Sequence, residues 1–434
     1  MRLAVVGAGW AGLAAAMAAT RQGHQVTVFE ASRHLGGRAR SLALELPDGT
    51  PALLDNGQHI LIGAYRETLA LMRLAGVDPA SVLHRLPLVM RFPDGGGLEL
   101  PDWPAPLDAA AGILAARGWG WRDKASLLAH SVRWRRAGFQ CDERLSVREL
   151  CDGLAPRVMS ELVEPLCVAA LNVPAERASA SVFLRVLRDA LFGPRESGGG
   201  ASNLLLPKVS LGELFPEAAA RWLAADGAHL RVGARVNQLA RADGGWQVDG
   251  DAFDGVLLAC PAWEAERLVA GCGSDAAAAW LREARTLRHE AIATVYTAGG
   301  PRLPLPMLAL RASEQAPAQF VFDRSQLGGP AGVLAFVVSA SEGDAAAIQA
   351  QVLDQARALG WPVQPLRTVV EKRATFACTP GVRRPGIDVA PRLWACGDYV
   401  EGPYPATLEG AVRSALTAVA RLPSPAARTA PSGW

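Results

Sequence analysis

The stretch LAVVGAGWAGLAAAMAATRQGHQVTVFE, residues 3–30, decides the fold of this chain. Its four leading apolar residues favour a buried strand, the alanine-rich run that follows Gly12 favours a helix, and QVTVFE favours a second strand. The glycine-rich turn GAGWAG lies between the first strand and the helix. This order predicts a β-α-β unit of the Rossmann type.

The three glycines of the turn have separate physical roles. Gly7 makes the tight turn out of the strand, Gly9 lets the backbone approach a pyrophosphate, and Gly12 lets the helix pack closely on the sheet. The helix N-terminus adds free N–H groups and partial positive charge. Glu30 ends the second strand, where a carboxylate can bind ribose hydroxyls. We therefore predict a dinucleotide site, the alternative being a glycine-rich turn without a ligand.

A second glycine motif follows at once as HLGGRARS, residues 34–41. Two glycines bring the backbone close to a cofactor, and an arginine can bind a diphosphate. The core of this motif resembles the R-x-G-G-R-x-x-[S/T] signature of the amine oxidase and phytoene desaturase flavoprotein superfamily, although His34 stands where that pattern often has other residues. The resemblance implies FAD, bound by Gly36, Gly37 and Arg38. The alternative is a surface turn with two solvated arginines.

Two later stretches resemble other segments of the same superfamily. Its closing motif is matched by ACGD, residues 395–398, and by PATLEGAVRS, residues 405–414. The resemblance implies that Gly397 and Asp398 contact the diphosphate and ribityl part of FAD. It also implies that the helix after Ala406 and Thr407 points its N-terminus at the flavin edge, where reduction builds negative charge.

The segment GARVN, residues 233–237, resembles another part of the FAD domain. There the backbone of Val236 would contact the adenine. Together these matches imply one FAD site, which we expect to hold the cofactor without a covalent bond. No second GxGxxG is present, so the two-nucleotide layout of flavin disulfide reductases is not expected.

Three further segments narrow the resemblance. They are LDNGQHILIGAY at 54–65, PLCVAALN at 165–172 and YPATLEGAV at 404–412. They are similar to the squalene-associated FAD-dependent desaturases, understood as the bacterial hydroxysqualene dehydroxylase family of hopanoid biosynthesis. The resemblance covers nearly the whole chain. It implies reduction of hydroxysqualene to squalene, a hydrophobic polyprenyl substrate, and contact with other squalene-synthesis enzymes.

The expected fold class is α/β, with a Rossmann-like FAD-binding domain of the GR2 type and an inserted, mixed α+β substrate domain. The FAD-binding domain is expected to be discontinuous, over residues 1–85, 204–283 and 376–424. Residues 86–203 and 284–375 would form the substrate domain, whose leucine, valine, alanine and phenylalanine side chains suit a thirty-carbon chain. The last residues, 425–434, are rich in proline, alanine and serine and predict a disordered tail.

Dehydroxylation needs a proton donor, because hydroxide is a poor leaving group. His59 is the best candidate by chemistry, and its alternative is a ring that only binds a backbone carbonyl. Asp55 would position His59, bind the ribityl chain or cap a turn. Tyr404 precedes the flavin-edge helix and would contact substrate. Glu409, in the first turn of that helix, is expected to stabilise the dipole of its own helix.

Composition and charge restrict the other classes of function. The 44 basic and 42 acidic residues leave a net charge of +2, which gives no support for a nucleic-acid partner. The seven cysteines show neither C-x-x-C spacing nor a cluster with histidine, so no metal site is predicted and reduced thiols are expected. No charged-then-apolar leader precedes the first strand, which favours a cytoplasmic location over secretion.

The segment that begins at Arg117 and ends at Phe139 predicts a membrane contact. It contains Trp119, Trp121 and Trp134 among six basic residues and one acidic residue. Apolar side chains at helical spacing add a stripe, as in helices that lie at a bilayer surface. We expect peripheral binding at the inner membrane, the alternative being a surface helix with a solvated basic face.

The motifs do not determine the direction of the redox reaction. A carotenoid or phytoene desaturase would use the same flavin to oxidise its substrate, and an amine oxidase is a more distant alternative. From a different class, the chain would be a non-catalytic FAD-binding partner of a squalene-forming assembly.

Overall fold

The computed structural model describes residues 1–193 and 199–423. The predicted tail at 425–434 lies outside the described residues. The seven cysteines all fall within them and are free thiols.

The strands of the described chain are numbered in order. They are β1 (Arg2–Val6), β2 (Gln25–Glu30), β3 (Ser41–Glu45), β4 (Pro51–Asp55), β5 (Leu61–Ile62), β6 (Leu83–Leu86), β7 (Val89–Arg91), β8 (Gly97–Glu99), β9 (Leu204–Pro207), β10 (His229–Val232), β11 (Leu239–Ala242), β12 (Gly245–Val248), β13 (Asp251–Phe253), β14 (Gly255–Leu258), β15 (His289–Ala298), β16 (Met307–Ala309), β17 (Phe320–Asp323), β18 (Leu334–Ser339), β19 (Gln364–Phe376), β20 (Asp388–Ala390) and β21 (Leu393–Ala395).

The helices are numbered in the same way. They are α1 (Trp10–Arg21), α2 (Arg66–Leu74), α3 (Pro79–Val82), α4 (Leu107–Ala115), α5 (Trp121–Arg136), α6 (Val147–Leu150), α7 (Pro156–Val158), α8 (Glu164–Leu171), α9 (Ala180–Phe192), α10 (Leu211–Leu214), α11 (Pro216–Ala225), α12 (Ala262–Gly271), α13 (Ala278–Ala284), α14 (Ala345–Ala358) and α15 (Leu408–Ala420). A π-helical turn, Met159–Val163, joins α7 to α8.

A six-stranded sheet in the order β10-β2-β1-β14-β21-β20 forms the centre of the fold. Its first five strands run parallel and β20 is antiparallel. β1 is flanked on both sides, with Val6 opposite Phe29 of β2 and Leu258 of β14. Helix α1 packs on the sheet through buried alanines, because small side chains allow a close approach. This arrangement confirms the predicted Rossmann-like α/β class.

A second, five-stranded antiparallel sheet has the order β16-β17-β18-β15-β19. Side chains alternate between its faces with a period of two residues. Ala293 and Val295 of β15 join the small core beneath α14, whereas Tyr296 joins the main core. The inner strands of the sheet are therefore buried on both faces, while the edge strand β19 is partly exposed, and all five strands come from residues 289–376. The boundaries of the two domains stay a prediction.

Most of the predicted membrane segment forms helix α5. Several apolar side chains that were expected to face a membrane are instead buried in the core. Trp119 and Trp134 are 6% exposed and belong to the core, as does Leu127, while Trp121 is 77% exposed. The indole of Trp119 donates to Glu161 at 2.9 Å. Two of the three tryptophans therefore hold the helix to the protein and do not face solvent. Within the described ranges, no helix has the length and apolar character needed to cross a bilayer.

Candidate functional site

The first glycine turn leaves open space at one of its three glycines. A Cβ on Gly7 would lie 2.8 Å from the carbonyl oxygen of Ala259, and a Cβ on Gly12 would lie 1.8 Å from the carbonyl oxygen of Gly7. At Gly9 the nearest atom, the Cα of Gly37, would be 3.9 Å away. Protein packing thus requires glycine at positions 7 and 12, while the space at Gly9 fits a ligand that approaches the backbone.

The two glycine loops lie side by side. The N–H of Gly36 donates to the carbonyl oxygen of Ala8 at 2.9 Å, and Gly9 and Gly36 form an isolated parallel bridge. Gly36 and Gly37 have φ angles of 97° and 63°, which side-chain-bearing residues rarely adopt. The structure therefore brings together Gly9, Gly36 and Gly37, three of the predicted cofactor contacts, in one cradle of backbone.

Glu30 braces this cradle. Its carboxylate accepts the N–H of Ala8 at 2.7 Å and the N–H of Ser32 at 2.8 Å. Its own carbonyl accepts the N–H of Ala234 at 2.8 Å, which places the segment of Val236 next to it. The carbonyl of Val236 accepts from Arg267 at 2.8 Å. The ribose contact of Glu30 and the adenine contact of Val236 stay predictions.

Arg38 and Asp398 form an ion pair that joins the second glycine loop to the closing segment. Arg38 also donates to the carbonyl oxygen of Ala374 at 2.6 Å. The predicted diphosphate contacts, far apart in sequence, are therefore neighbours in space. A guanidinium held in this way can bind the oxygens of a diphosphate with its remaining donors.

The closing loop is held by backbone bonds around Asp398. The carbonyl of Asp398 accepts the N–H of Ala406 at 3.0 Å, and Ala406 has a φ of 57°. Gly397 donates its N–H to the hydroxyl of Ser414 at 2.8 Å. Thr407 is the N-cap of α15, and its hydroxyl accepts the N–H of Gly410 at 2.9 Å. The predicted contacts Gly397, Ala406 and Thr407 thus share one loop with Asp398.

Glu409 has a second partner that the sequence analysis did not predict. Its side chain is fully buried and accepts the backbone N–H groups of Glu67 and Thr68, at 3.2 and 3.0 Å. It also accepts the hydroxyl of Thr68 at 2.7 Å and the guanidinium of Arg413 at 2.6 Å. Glu409 lies in the first turn of α15, so its effect on the dipole of its own helix stays a prediction, while its carboxylate also caps the N-terminus of α2. No local sequence signal marks this contact.

His59 binds a backbone carbonyl, as its alternative interpretation predicts. Its Nδ1 lies 3.1 Å from the carbonyl oxygen of Gly57. Burial lowers the pKa of His59, and the charge of Arg38 lowers it further, although the bond to Gly57 acts in the opposite direction. A carbonyl only accepts, so Nδ1 carries the proton and Nε2 of the neutral ring is an acceptor. The role of proton donor stays a prediction and requires a second proton on Nε2.

Asp55 is bonded to a residue other than His59. Its Oδ1 accepts the N–H of Leu211 at 2.8 Å, at the start of α10, and its Oδ2 lies 4.0 Å from Nη2 of Arg324. Burial raises the pKa of Asp55 to about 6, because desolvation outweighs the bond from Leu211 and the charge of Arg324. This geometry matches the capping alternative for Asp55.

A buried polar network, which the sequence did not reveal, supports the loop that carries His59. Tyr296 donates to the carbonyl oxygen of Asp55 at 2.8 Å and accepts from Gln58 at 2.9 Å. Arg324 donates to Gln58 at 3.1 Å, while its Nε has no partner among the described residues. Tyr296 lies in β15 of the five-stranded sheet, and Arg324 directly follows β17. Both are far from this loop in sequence, so no sequence spacing links them to it.

Tyr404 lies at a surface cleft of about 480 Å³. Its ring contacts the ring of Tyr65 edge-on at 6.2 Å, and the guanidinium of Arg413 lies 4.9 Å from its centre. Burial raises the pKa of Tyr404 to about 12. The cleft also carries Arg384 and Arg421, unlike the apolar lining expected for a polyprenyl chain. A contact between Tyr404 and substrate stays a prediction.

A family model described as flavin-containing amine oxidoreductase matches residues 10–423. The chain belongs to this family. The chain is an FAD-dependent oxidoreductase, as predicted, and the glycine cradle with Arg38 and Asp398 fits that cofactor.

Individual proteins resemble this chain to different extents. The hydroxysqualene dehydroxylase of Rhodopseudomonas palustris is 27% identical over 94% of this chain and 95% of its own length. A 15-cis-phytoene desaturase of Synechococcus elongatus is 27% identical over 43% of this chain and 41% of its own length. The solved structure of an oxidoreductase from Methanosarcina mazei shares the fold, with a TM-score of 0.72 and 16% identity over 97% of this chain and 100% of its own.

Proposed function

We propose that this enzyme reduces hydroxysqualene, a polyprenyl allylic alcohol, to squalene. The observation that carries the proposal is the full-length similarity to a hydroxysqualene dehydroxylase, whereas similarity to the phytoene desaturase covers less than half of the chain. The difference matters because the cofactor motifs occur throughout the superfamily. Similarity in the remaining regions is what separates one substrate class from another.

The reaction replaces a hydroxyl by hydrogen at one carbon. The C–O bond breaks with its electron pair on oxygen, a proton joins that oxygen to form water, and a hydride restores the carbon. Reduced FAD supplies the hydride when it is bound. The backbone at Gly9 leaves room for the diphosphate, and the Arg38–Asp398 pair provides guanidinium donors beside it.

The proton must come from a group that carries one at the working pH. Neutral His59, with its proton on Nδ1, is an acceptor at Nε2. As the acid it would act in its doubly protonated form, which burial disfavours. The proposal therefore requires an acidic optimum if His59 donates the proton, and another donor if the optimum is neutral.

The direct test is anaerobic incubation of the chemically reduced holoenzyme with hydroxysqualene, followed by lipid extraction. We expect squalene, with hydrogen delivered at the carbon that bore the hydroxyl. Deuterium supplied through the reduced flavin should label that carbon. Gly9→Val, prepared in the same way, is the control, because a side chain at Gly9 occupies the space left for the cofactor.

Other outcomes favour the alternatives. A more unsaturated product under oxidising conditions would favour a carotenoid or phytoene desaturase, and oxidation of a primary amine would favour an amine oxidase. A flavin-loaded protein without turnover that binds another squalene-forming enzyme would favour the non-catalytic partner. Association of the active enzyme with such enzymes belongs to the proposal and can be measured by co-purification.

A further inference from the structure

Helix α4 has an outward face without charge. Among its nine residues the one ionisable side chain, Asp108, is buried. Leu107 and Leu114 are 61% and 49% exposed, and the helical repeat places them on the same side. A surface helix of a water-soluble protein usually presents polar side chains outward, so an all-apolar outer face needs an explanation.

Helix α5 continues this apolar surface. Trp121 is 77% exposed and Val132 is 48% exposed. At 3.6 residues per turn, Trp121, Ala125 and Val132 fall within about 40° of one another on the helix circumference. The buried side chains of Leu127 and Trp134 lie on the opposite side. The helix therefore has two apolar faces, one that packs on the core and one that faces solvent.

The two helices are joined at this surface. The ammonium group of Lys124 donates to the carbonyl oxygen of Leu114 at 2.7 Å and lies 5.6 Å from the ring of Trp121. Eight large apolar side chains of the described chain are exposed, and five of them belong to this region, which we call the α4–α5 surface. They are Trp103, Leu107, Leu114, Trp121 and Val132.

Basic residues flank the apolar stripe of α5 on both sides. The helical repeat places Arg122 and Arg133 on one side of the stripe and Lys124 and Arg135 on the other. The one acidic residue of α5, Asp123, accepts the N–H of Gly120 at 2.9 Å and so serves the helix N-terminus. An apolar stripe between two rows of cations is complementary to a bilayer with anionic headgroups.

We propose that the α4–α5 surface docks on an anionic lipid bilayer. Leu107, Leu114 and Trp121 enter the boundary between headgroups and acyl chains, while the flanking arginines bind lipid phosphates. A nine-residue helix spans about 14 Å and is too short to cross the roughly 30 Å of hydrocarbon. The protein is therefore held at the surface of the bilayer. This inference stands on exposure and charge and is independent of the reaction.

The test is co-sedimentation of the holoenzyme with vesicles of phosphatidylcholine containing phosphatidylglycerol, and with pure phosphatidylcholine. We expect binding to the anionic vesicles that weakens as salt rises, because salt screens exposed charges. Leu107→Ser/Leu114→Ser/Trp121→Ser should reduce binding at least tenfold. The matched control is Leu53→Ser/Val232→Ser, which removes exposed apolar side chains elsewhere and should bind like the wild type.

A charge variant tests the flanking residues. Arg122→Gln/Arg135→Gln, one residue from each side of the stripe, should weaken binding roughly fivefold per residue, whereas Arg73→Gln/Arg302→Gln, exposed arginines outside the surface, should not. Wild-type protein that stays in the supernatant, or a triple variant that binds as tightly as the wild type, would overturn the proposal. Dissociation of a dimer by the triple variant, without vesicle binding by the wild type, would instead assign the surface to a second copy of this chain.

Discussion

Glu409 of helix α15 caps another helix, since its carboxylate lies 3.0 Å from the backbone N–H of Thr68 in the first turn of α2. The same carboxylate also binds the hydroxyl of Thr68 and the side chain of Arg413. Because α15 follows the loop of Ala406 and Thr407, this contact holds that loop in place relative to the rest of the fold. One buried acid thus connects the predicted flavin-edge helix to a distant segment.

Replacing Glu409 should therefore destabilise the holoenzyme strongly. Glu409→Ala leaves the N–H groups of α2 and the guanidinium of Arg413 without this acceptor, and the free energy of unfolding should fall by about 3 kcal/mol. Urea unfolding of the FAD-loaded protein measures it. Arg413→Gln removes only the part-exposed partner and should cost less, about 1 kcal/mol. Equal losses in the two variants would contradict the capping role.

A side chain at Gly9 should impair FAD binding, whereas a side chain at Gly12 should impair folding. Gly9→Val should keep the fold and weaken FAD binding at least a hundredfold, since its side chain enters the space left for the ligand. Gly12→Ala should lower stability before any cofactor is added, because its Cβ would meet the carbonyl oxygen of Gly7. Circular dichroism of the apoproteins and flavin titration separate the two effects. A normal FAD affinity in Gly9→Val would contradict the site.

The cofactor should be released by denaturation. We expect acid precipitation of the purified protein to leave the yellow chromophore in the supernatant, since we predict no covalent bond to FAD. Chromatography of the supernatant against authentic FAD identifies the molecule. A yellow pellet with a colourless supernatant would show a covalent attachment instead.

Asp55 should make stability depend on pH. Its pKa in the folded protein is raised from 3.8 to about 6, so the folded state binds the proton more tightly than the unfolded chain does. The contribution of Asp55 to the free energy of unfolding is complete below the unfolded pKa. It decreases by roughly 3 kcal/mol as pH rises through about 6.

Asp55→Asn removes this titration while keeping an acceptor for Leu211. The stability of the variant relative to wild type should therefore rise between about pH 4 and pH 7, measured as melting temperature with saturating FAD. A difference that stays constant over this range would show that Asp55 does not titrate there.

The pH profile of turnover decides the role of His59. If it is the acid, kcat should fall as pH rises above its lowered pKa, because the protonated form is lost. His59→Gln should then keep FAD and lose about 10²–10⁴-fold in kcat. The exposed His34→Gln is the matched control and should react like the wild type. A near-normal rate in His59→Gln would dismiss His59 and leave the overall reaction intact.

The sequence by itself determined the β-α-β unit and the cofactor class. Gly7, Gly9, Gly12 and Glu30 lie within one short unit, where strand period, helix composition and turn glycines act locally, so their arrangement could be read without a structure. The second glycine motif and the closing segment were found by resemblance, and the structure places Arg38 beside Asp398.

Only the tertiary structure decided the partners of the buried polar groups. Asp55 bonds to Leu211 and not to His59, Glu409 caps α2, and Arg324, which directly follows β17, donates to Gln58. A buried polar group takes whichever donor or acceptor the packing brings near, and sequence distance does not limit that choice. The same reason applies to the tryptophans around α5, because composition indicates an amphipathic helix while packing decides which of its sides faces solvent.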